Sequence, residues 1–266
     1  MSSSSVPIVD VQWLSGHLSD GSTLIVDVRP YPHYQAAHIP GAISLDVASL
    51  RLPASDEQTI AAWTTYLQKG LRTAGITSEE RVVFYEDVSG SLAAFGVWLL
   101  DVAGLGNGAF LDGGLRAWLS EGQPTSSQAM RPEPSTVEVT LDRQILATAD
   151  DILHDLNTGT PTIQLVDTRG TGEYRSGTIP GSIHLEWTNH LDPATGKLKD
   201  KDALLALYSE RGVTPDQPAV TYCAGGFRAA HTYVVLKSLG FTDVSSYAPS
   251  WAEWSQRTDA PVESPT

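Results

Sequence analysis

The chain of 266 residues contains a single cysteine, Cys223, and only two methionines. One cysteine excludes an intramolecular disulfide and leaves no basis for a cysteine-built structural zinc site. A lone thiol without an export signal fits a reducing compartment, so a cytoplasmic protein is expected. Basic residues are scarce. Seventeen Lys and Arg stand against 31 Asp and Glu, a formal net charge of -14 at pH 7. That field repels nucleic acid and anionic membrane surfaces, and neither is an expected partner. It also repels an anionic substrate, so any anion site has to be built locally. No run approaches the ~20 apolar residues of a membrane span. The opening MSSSSVPIVD has neither the basic region nor the apolar run of a secretory signal. With 41% hydrophobic and 18% charged residues, the composition supports a packed core rather than wholesale disorder.

What is present is a repeat. LIVDVRPYPHYQAAHIPGAISL near the start is echoed by LVDTRGTGEYRSGTIPGSIHL from residue 165. At an offset of 140, Asp27 meets Asp167, Arg29 meets Arg169, Tyr34 meets Tyr174, and Ile39-Pro40-Gly41 meets Ile179-Pro180-Gly181. Further on, Tyr85 faces Tyr222 at an offset of 137 and Trp118 faces Trp254 at 136, as small loop changes would produce. A period this long implies two tandem domains rather than a solenoid. Residues 125–136 are rich in Pro, Ser and Thr without an apolar period, and read as a linker. Domain one is therefore expected at 6–124 and domain two at 137–258, with MSSSS and DAPVESPT as flexible tails.

Within each copy, short apolar runs end in turn residues. Residues 24–28, 82–85, 163–167 and 219–222 read as buried parallel strands. Residues 59–74 and 201–211 read as helices stopped by Gly75 and Gly212. The alternation predicts an α/β fold, each domain a parallel sheet flanked by helices on both faces.

The candidate site lies in the second copy. A strand ends at Tyr222 and a helix is predicted over 228–239, stopped by Gly240. Between them runs Cys223-Ala224-Gly225-Gly226-Phe227-Arg228. Ligand sites in open α/β sheets lie at the carboxyl ends of strands. A helix N-terminus there offers unpaired N–H groups and a positive dipole end. Gly225 and Gly226 let the backbone curl so that amides point inward. A thiol so placed is expected to ionise more readily than a free one, and the thiolate is the nucleophile. The same amides would stabilise an anionic persulfide or an anionic donor. Cys223 is thus the candidate catalytic residue, and Ala224, Gly225, Gly226, Phe227 and Arg228 the candidate substrate-binding ones. A cation such as Arg228 is poorly placed at a helix N-terminus unless it serves an anion in the loop. His231, one turn later, reads as structural. The matching loop of the first copy, Glu86-Asp87-Val88-Ser89-Gly90-Ser91, has no cysteine and sets two carboxylates where the nucleophile should be. That copy is expected to be inactive.

The pattern of Asp-x-Arg, Tyr, Ile-Pro-Gly, strand–Cys–loop–helix and a Trp-containing end resembles the rhodanese family of sulfurtransferases, twice over. The resemblance implies two rhodanese folds with the site in the second, near the interface between the copies. It implies that Cys223 takes sulfane sulfur from a small anionic donor such as thiosulfate. The acceptor would be cyanide or another thiophile, including a thiol protein such as thioredoxin. No metal or organic cofactor is implied. His38 matches a family histidine that can face the site, and its counterpart is Thr178. The Asp-x-Arg residues, kept in both copies, read as structural ion pairs. The loop departs from the Cys-Arg-Lys-Gly-Val-Thr and Cys-Gly-Ser-Gly-Val-Thr forms of thiosulfate- and mercaptopyruvate-type enzymes. Ala224 and Gly225 leave the donor open at this point. Mercaptopyruvate enzymes clamp the substrate carboxylate with an arginine where this chain has Glu173, which favours thiosulfate. A mercaptopyruvate enzyme would have to recruit Arg51, Arg175 or Arg228. A Cys-based phosphatase or arsenate reductase would need Cys-x5-Arg, and Cys223 to Arg228 is one residue short. A non-catalytic binding module is the remaining alternative.

Overall fold

The computed structural model describes residues 7–19 and 21–265. The MSSSS tail and residue 6 lie outside them. The chain divides into two compact units that are not contiguous in sequence. The first takes in the described residues up to Leu50 with Ala62–Asp142 and Leu191–Leu198. The second takes in Arg51–Ala61, Arg143–His190 and the described residues from Lys199. Each unit thus holds a short segment from the half of the chain that forms the other.

The first unit contains β1 (Ile8–Val9), α1 (Val11–Gly16), β2 (Thr23–Asp27), α2 (Tyr31–Ala36), β3 (Ile43–Ser44), most of α3 (Glu57–Thr73), β4 (Arg81–Tyr85), α4 (Ser91–Val102), β5 (Gly108–Leu111) and α5 (Gly114–Ser120). Its five strands are all parallel, in the order β1-β5-β4-β2-β3. Alternate strand residues face opposite sides of a sheet. Ile25, Val83, Tyr85, Ala109 and Leu111 accordingly share one core with Leu14 of α1 and Trp118 of α5. Phe84, one residue out of phase, packs against α4, where a Cβ on Gly96 would lie 2.5 Å from its ring. Only glycine permits that approach.

The second unit contains α6 (Ala149–Asn157), β6 (Gln164–Asp167), α7 (Thr171–Arg175), β7 (Ile183–His184), α8 (Lys201–Ser209), β8 (Ala219–Tyr222), α9 (Phe227–Leu239), β9 (Val244–Ser246) and α10 (Ser250–Trp254). The parallel order is β7-β6-β8-β9. A single parallel bridge from Leu146 to Ser246 stands where β1 pairs in the first unit. Leu165, Val220 and Tyr222 form a core with Ile152 of α6 and Trp254 of α10. On the other face, the Thr221 hydroxyl donates to the Ala229 carbonyl of α9 at 3.0 Å. Both sheets carry helices on both faces, as expected.

The repeated identities now have physical causes. Asp167 is fully buried and accepts from Arg169 N and Nε at 3.0 Å, from Arg169 Nη2 at 2.6 Å, and from the Tyr222 and Thr178 hydroxyls at 2.9 Å. The Tyr222 hydroxyl in turn accepts from the Ile179 amide of the Ile-Pro-Gly turn at 3.2 Å. Asp27, Arg29, Tyr85 and Ile39 repeat this arrangement in the first unit. Burial and the neighbouring aspartate push both phenols well above the ordinary tyrosine value, so they remain donors.

The carboxyl-terminal segment, expected to be a flexible tail, is held by pairing instead. Thr178 and Glu263 form an antiparallel bridge, and the Trp254 indole donates to the Pro261 carbonyl at 2.9 Å. The linker is bound in the same way. Ser126 bridges His38, and just before the linker the Trp118 indole donates to the Pro124 carbonyl at 2.7 Å. A buried indole N–H left without an acceptor costs free energy, and these two are satisfied. The chain just after the last helix supplies the acceptor, whatever its composition.

Removing one partner from a buried charge pair leaves the other uncompensated. Asp167→Ala is expected to lower the unfolding free energy of the second unit by about 3–5 kcal/mol. Denaturant titration reads this as a shift in midpoint. A change below ~1 kcal/mol, the range of an exposed pair, would show that the cluster does not hold the unit together.

Candidate active site

Cys223 follows the last residue of β8 and is 1% exposed. Its sulfur accepts a hydrogen bond from the Gly226 amide at 3.1 Å. Gly226 caps α9 with φ at +104°, and a Cβ there would lie 2.6 Å from the Ala248 carbonyl oxygen. Both the turn and the close approach require glycine. The loop is tied to the start of α10. Trp251 N donates to the Cys223 carbonyl at 3.0 Å and Ala252 N to the Ala224 carbonyl at 2.9 Å. The Cys223 amide donates to the Ser250 hydroxyl oxygen at 3.1 Å. The Ser250 hydroxyl donates to the Tyr247 carbonyl at 2.8 Å and lies 3.9 Å from the Cys223 sulfur.

Two guanidinium groups belong to this loop. Arg51 comes from the segment that the second unit takes from the first half of the chain. Its Nη1 is 2.9 Å from where a Cβ on Gly225 would be, so glycine leaves room for the cation. Arg228 forms a two-pronged pair with Glu173, at 2.6 and 2.8 Å. Glu173 first, and Cys223 after it, hold the Arg228 guanidinium above its ordinary value against the effect of burial. The same pair holds the Glu173 carboxyl below its ordinary value. Glu173 thus engages the cation that the sequence reading assigned to a donor. Ala224 contributes its carbonyl to the α10 contact, and Phe227 opens α9, half-buried. Arg175 is exposed at the end of α7.

The equivalent loop of the first unit shows what fills the space without a thiol. Leu115 N donates to the Glu86 carbonyl and Arg116 N to the Asp87 carbonyl, so Glu86 occupies the Cys223 position. Its Oε1 accepts from the amides of Leu92 and Ala93 at 2.8 and 3.2 Å, in the first turn of α4. Burial pushes the Glu86 carboxyl up while those amides oppose the shift. Only one carboxylate enters the nest, not the two expected. The Asp87 side chain is 66% exposed and lies 3.3 Å from Arg29.

The remaining candidates are accounted for within their own units. His38 is buried against Tyr34, ring centroids 4.0 Å apart, with Nδ1 2.7 Å from the Tyr34 carbonyl and Nε2 3.2 Å from that of Gln128. Both ring nitrogens face backbone carbonyls of the first unit. His231 is buried beside His190, which also meets the Tyr208 hydroxyl at 2.8 Å. Among the described residues, no group of three His, Cys, Asp or Glu side chains is placed to hold a metal, and no helix is long and apolar enough to cross a membrane.

Sequence reasoning did not single out Ser250. The signal was available. At the offset that aligns Trp118 with Trp254, Ser250 stands opposite Gly114.

A model of the rhodanese-like domain matches residues 10–121 and again 148–257. The chain is 33% identical over 264 residues to a thiosulfate sulfurtransferase of Azotobacter vinelandii, covering 96% of both chains. It is 30% identical over 264 residues to a thiosulfate sulfurtransferase of Pseudomonas aeruginosa, again covering 96% of each. The fold superposes with a TM-score of 0.80 on the crystal structure of SseA from Escherichia coli, a 3-mercaptopyruvate sulfotransferase. That match is 24% identical and covers 94% of this chain and 100% of that one. At that identity the superposition speaks for the fold alone. The double domain match, with relatives at 30% identity or more along nearly the whole length, makes the chain a member of the rhodanese-like domain family, a tandem-domain sulfurtransferase of the rhodanese type.

Proposed function

We propose that the chain moves sulfane sulfur from thiosulfate to cyanide or another thiophilic acceptor through a persulfide on Cys223. The observation that carries this reading is the thiol itself, held at the end of β8 with the Gly226 amide on its sulfur. In the first step the Cys223 thiolate attacks the outer sulfur of thiosulfate. A new S–S bond forms, the old one breaks, and its electron pair leaves with sulfite. The product is Cys223–S–S⁻. In the second step cyanide attacks the outer sulfur, thiocyanate departs, and the pair of the breaking S–S bond returns to Cys223 as thiolate. Each step moves one sulfur and conserves charge, and neither requires a redox partner or a metal. A thiol or a thiol protein such as thioredoxin serves equally as acceptor in this scheme. A single thiol kept reduced suits the cytoplasm.

The Gly226 amide, which donates to the sulfur, is a fixed dipole aimed at the reacting atom. Arg51 supplies the cation for the incoming dianion. Arg228 is shared with Glu173, and that carboxylate disfavours a donor needing a carboxylate clamp, such as mercaptopyruvate. Phosphate-ester chemistry fits less well. The loop is one residue short of a phosphate cradle, and Arg228 is engaged by Glu173. The first unit, with Glu86 in place of the thiol, takes no part in the transfer.

Incubation with thiosulfate is expected to add about 32 Da to the intact protein, one sulfur, removable by cyanide. Cys223→Ser is expected to abolish both the adduct and turnover. Full turnover without any persulfide would overturn the scheme.

Thiosulfate is expected to exceed mercaptopyruvate in kcat/KM. Arg51→Gln is expected to raise the thiosulfate KM about tenfold, the value of one charge-assisted hydrogen bond. Steady-state kinetics on both donors decides this. A preference for mercaptopyruvate would reverse the donor assignment, and an unchanged thiosulfate KM in the variant would remove Arg51 from the anion site.

A further inference from the structure

Ser250 is the only non-glycine residue with positive φ among the described residues, at +59°. Such a backbone disfavours any residue with a Cβ. The repeat offers a direct comparison. Gly114 stands at the same place in the first unit with φ at +56°. The two φ values agree to a few degrees, and only the second unit carries a side chain there. In the first unit a Cβ on Gly114 would lie 2.3 Å from the Glu86 carbonyl oxygen and 2.7 Å from the amide nitrogen of Val88. That loop is closed over its glycine. In the second unit the loop stands off far enough to admit a serine that is wholly buried.

Strain of this kind persists where the surroundings impose it and where it serves a site. The buried hydroxyl has defined tasks. It accepts from the Cys223 amide at 3.1 Å, donates to the Tyr247 carbonyl at 2.8 Å, and stands 3.9 Å from the sulfur. The Cys223 amide is thereby anchored at the first residue of the loop. Three residues on, the Gly226 amide meets the sulfur. Moving the start of so short a loop moves the sulfur off that amide.

We propose that Ser250 is a positioning residue for sulfur transfer. Its hydroxyl, carried on a strained backbone that a glycine would relieve, anchors the Cys223 amide and so sets the sulfur on the Gly226 N–H. This rests on the reading of Cys223 as the sulfur-carrying thiolate, and it adds a residue to that reading.

Two variants separate position from stability. Ser250→Gly removes the hydroxyl and the strain. Ser250→Ala removes the hydroxyl and keeps the strain. Ser250→Gly is expected to melt about 2–4 °C above Ser250→Ala, the size of one relieved backbone conformation in a chain of this length. Both are expected to lose about tenfold in the rate of Cys223 alkylation by iodoacetamide at pH 7, and about tenfold in kcat with thiosulfate, by the same amount despite the different melting temperatures. Ser250→Gly is expected to fold, because Gly114 already holds that backbone in the first unit. Alkylation at the wild-type rate in both variants would overturn the proposal. So would activity that rises and falls with melting temperature. The alkylation readout uses no sulfur donor. A failure of thiosulfate chemistry in the wild type would therefore count against the donor reading and leave this test intact.

Discussion

A buried carboxylate at the end of one strand governs the architecture of each unit. Asp167 has no exposure to water, and a charge so placed must be met by donors on every side. Arg169 meets it from two residues along the chain, Tyr222 from the neighbouring strand, and Thr178 from the Ile-Pro-Gly turn. Those contacts draw three segments together at the carboxyl edge of the sheet, where a ligand site forms in such folds. The effect reaches the thiol. The Arg169 guanidinium lies 4.4 Å from the ring centre of Trp251, and the Trp251 amide holds the Cys223 carbonyl. The Cys223 loop is therefore mounted on the same cluster that holds the sheet in register.

The repeat shows how little must change to turn such a frame toward chemistry. The amide contacts from α5 onto the Glu86 loop match those from α10 onto the Cys223 loop. One copy places a carboxylate in the first turn of its helix, and the other places a thiol beneath a glycine amide. One copy closes its loop on Gly114, and the other admits a serine hydroxyl at nearly the same φ. The first arrangement satisfies its own helix terminus and is complete. The second leaves a thiol with the Gly226 amide on its sulfur and two guanidinium groups at its loop.

The carboxylate cluster was legible because its members recur at fixed offsets. A position repeated through duplication is one that the backbone cannot easily give up. The strand ends at 85 and 222 and the helix stops at Gly75, Gly212 and Gly240 were legible because local chemistry sets them, the glycines all at positive φ. The helix α4 offered no such signal. It is buried nearly all round, so it has no polar face to give it a period. The pinned linker and carboxyl-terminal segment were illegible for another reason. Their order comes from antiparallel bridges to His38 and Thr178, far back along the chain, which composition does not report. At the site, the thiol and its glycines were visible, while the bond from Glu173 to Arg228 depended on a contact 55 residues apart along the chain.

Net charge and site charge act on different length scales here. The excess of acidic residues gives the chain a repulsive field, but at physiological salt that field decays over ~8 Å. Within the loop, the nearest groups decide. Arg51 and Arg228 bring two positive charges, and Glu173 offsets one of them. On the proposed chemistry a dianion enters and a dianion leaves. A site with both cations unopposed would hold sulfite as firmly as thiosulfate, and uniform binding of that kind does not raise turnover. A partly neutralised site with a fixed amide on the sulfur favours the charge that develops at the reacting atom over the charge that both anions carry. On that scheme Glu173, by pairing with Arg228, offsets a charge that would act on both anions alike.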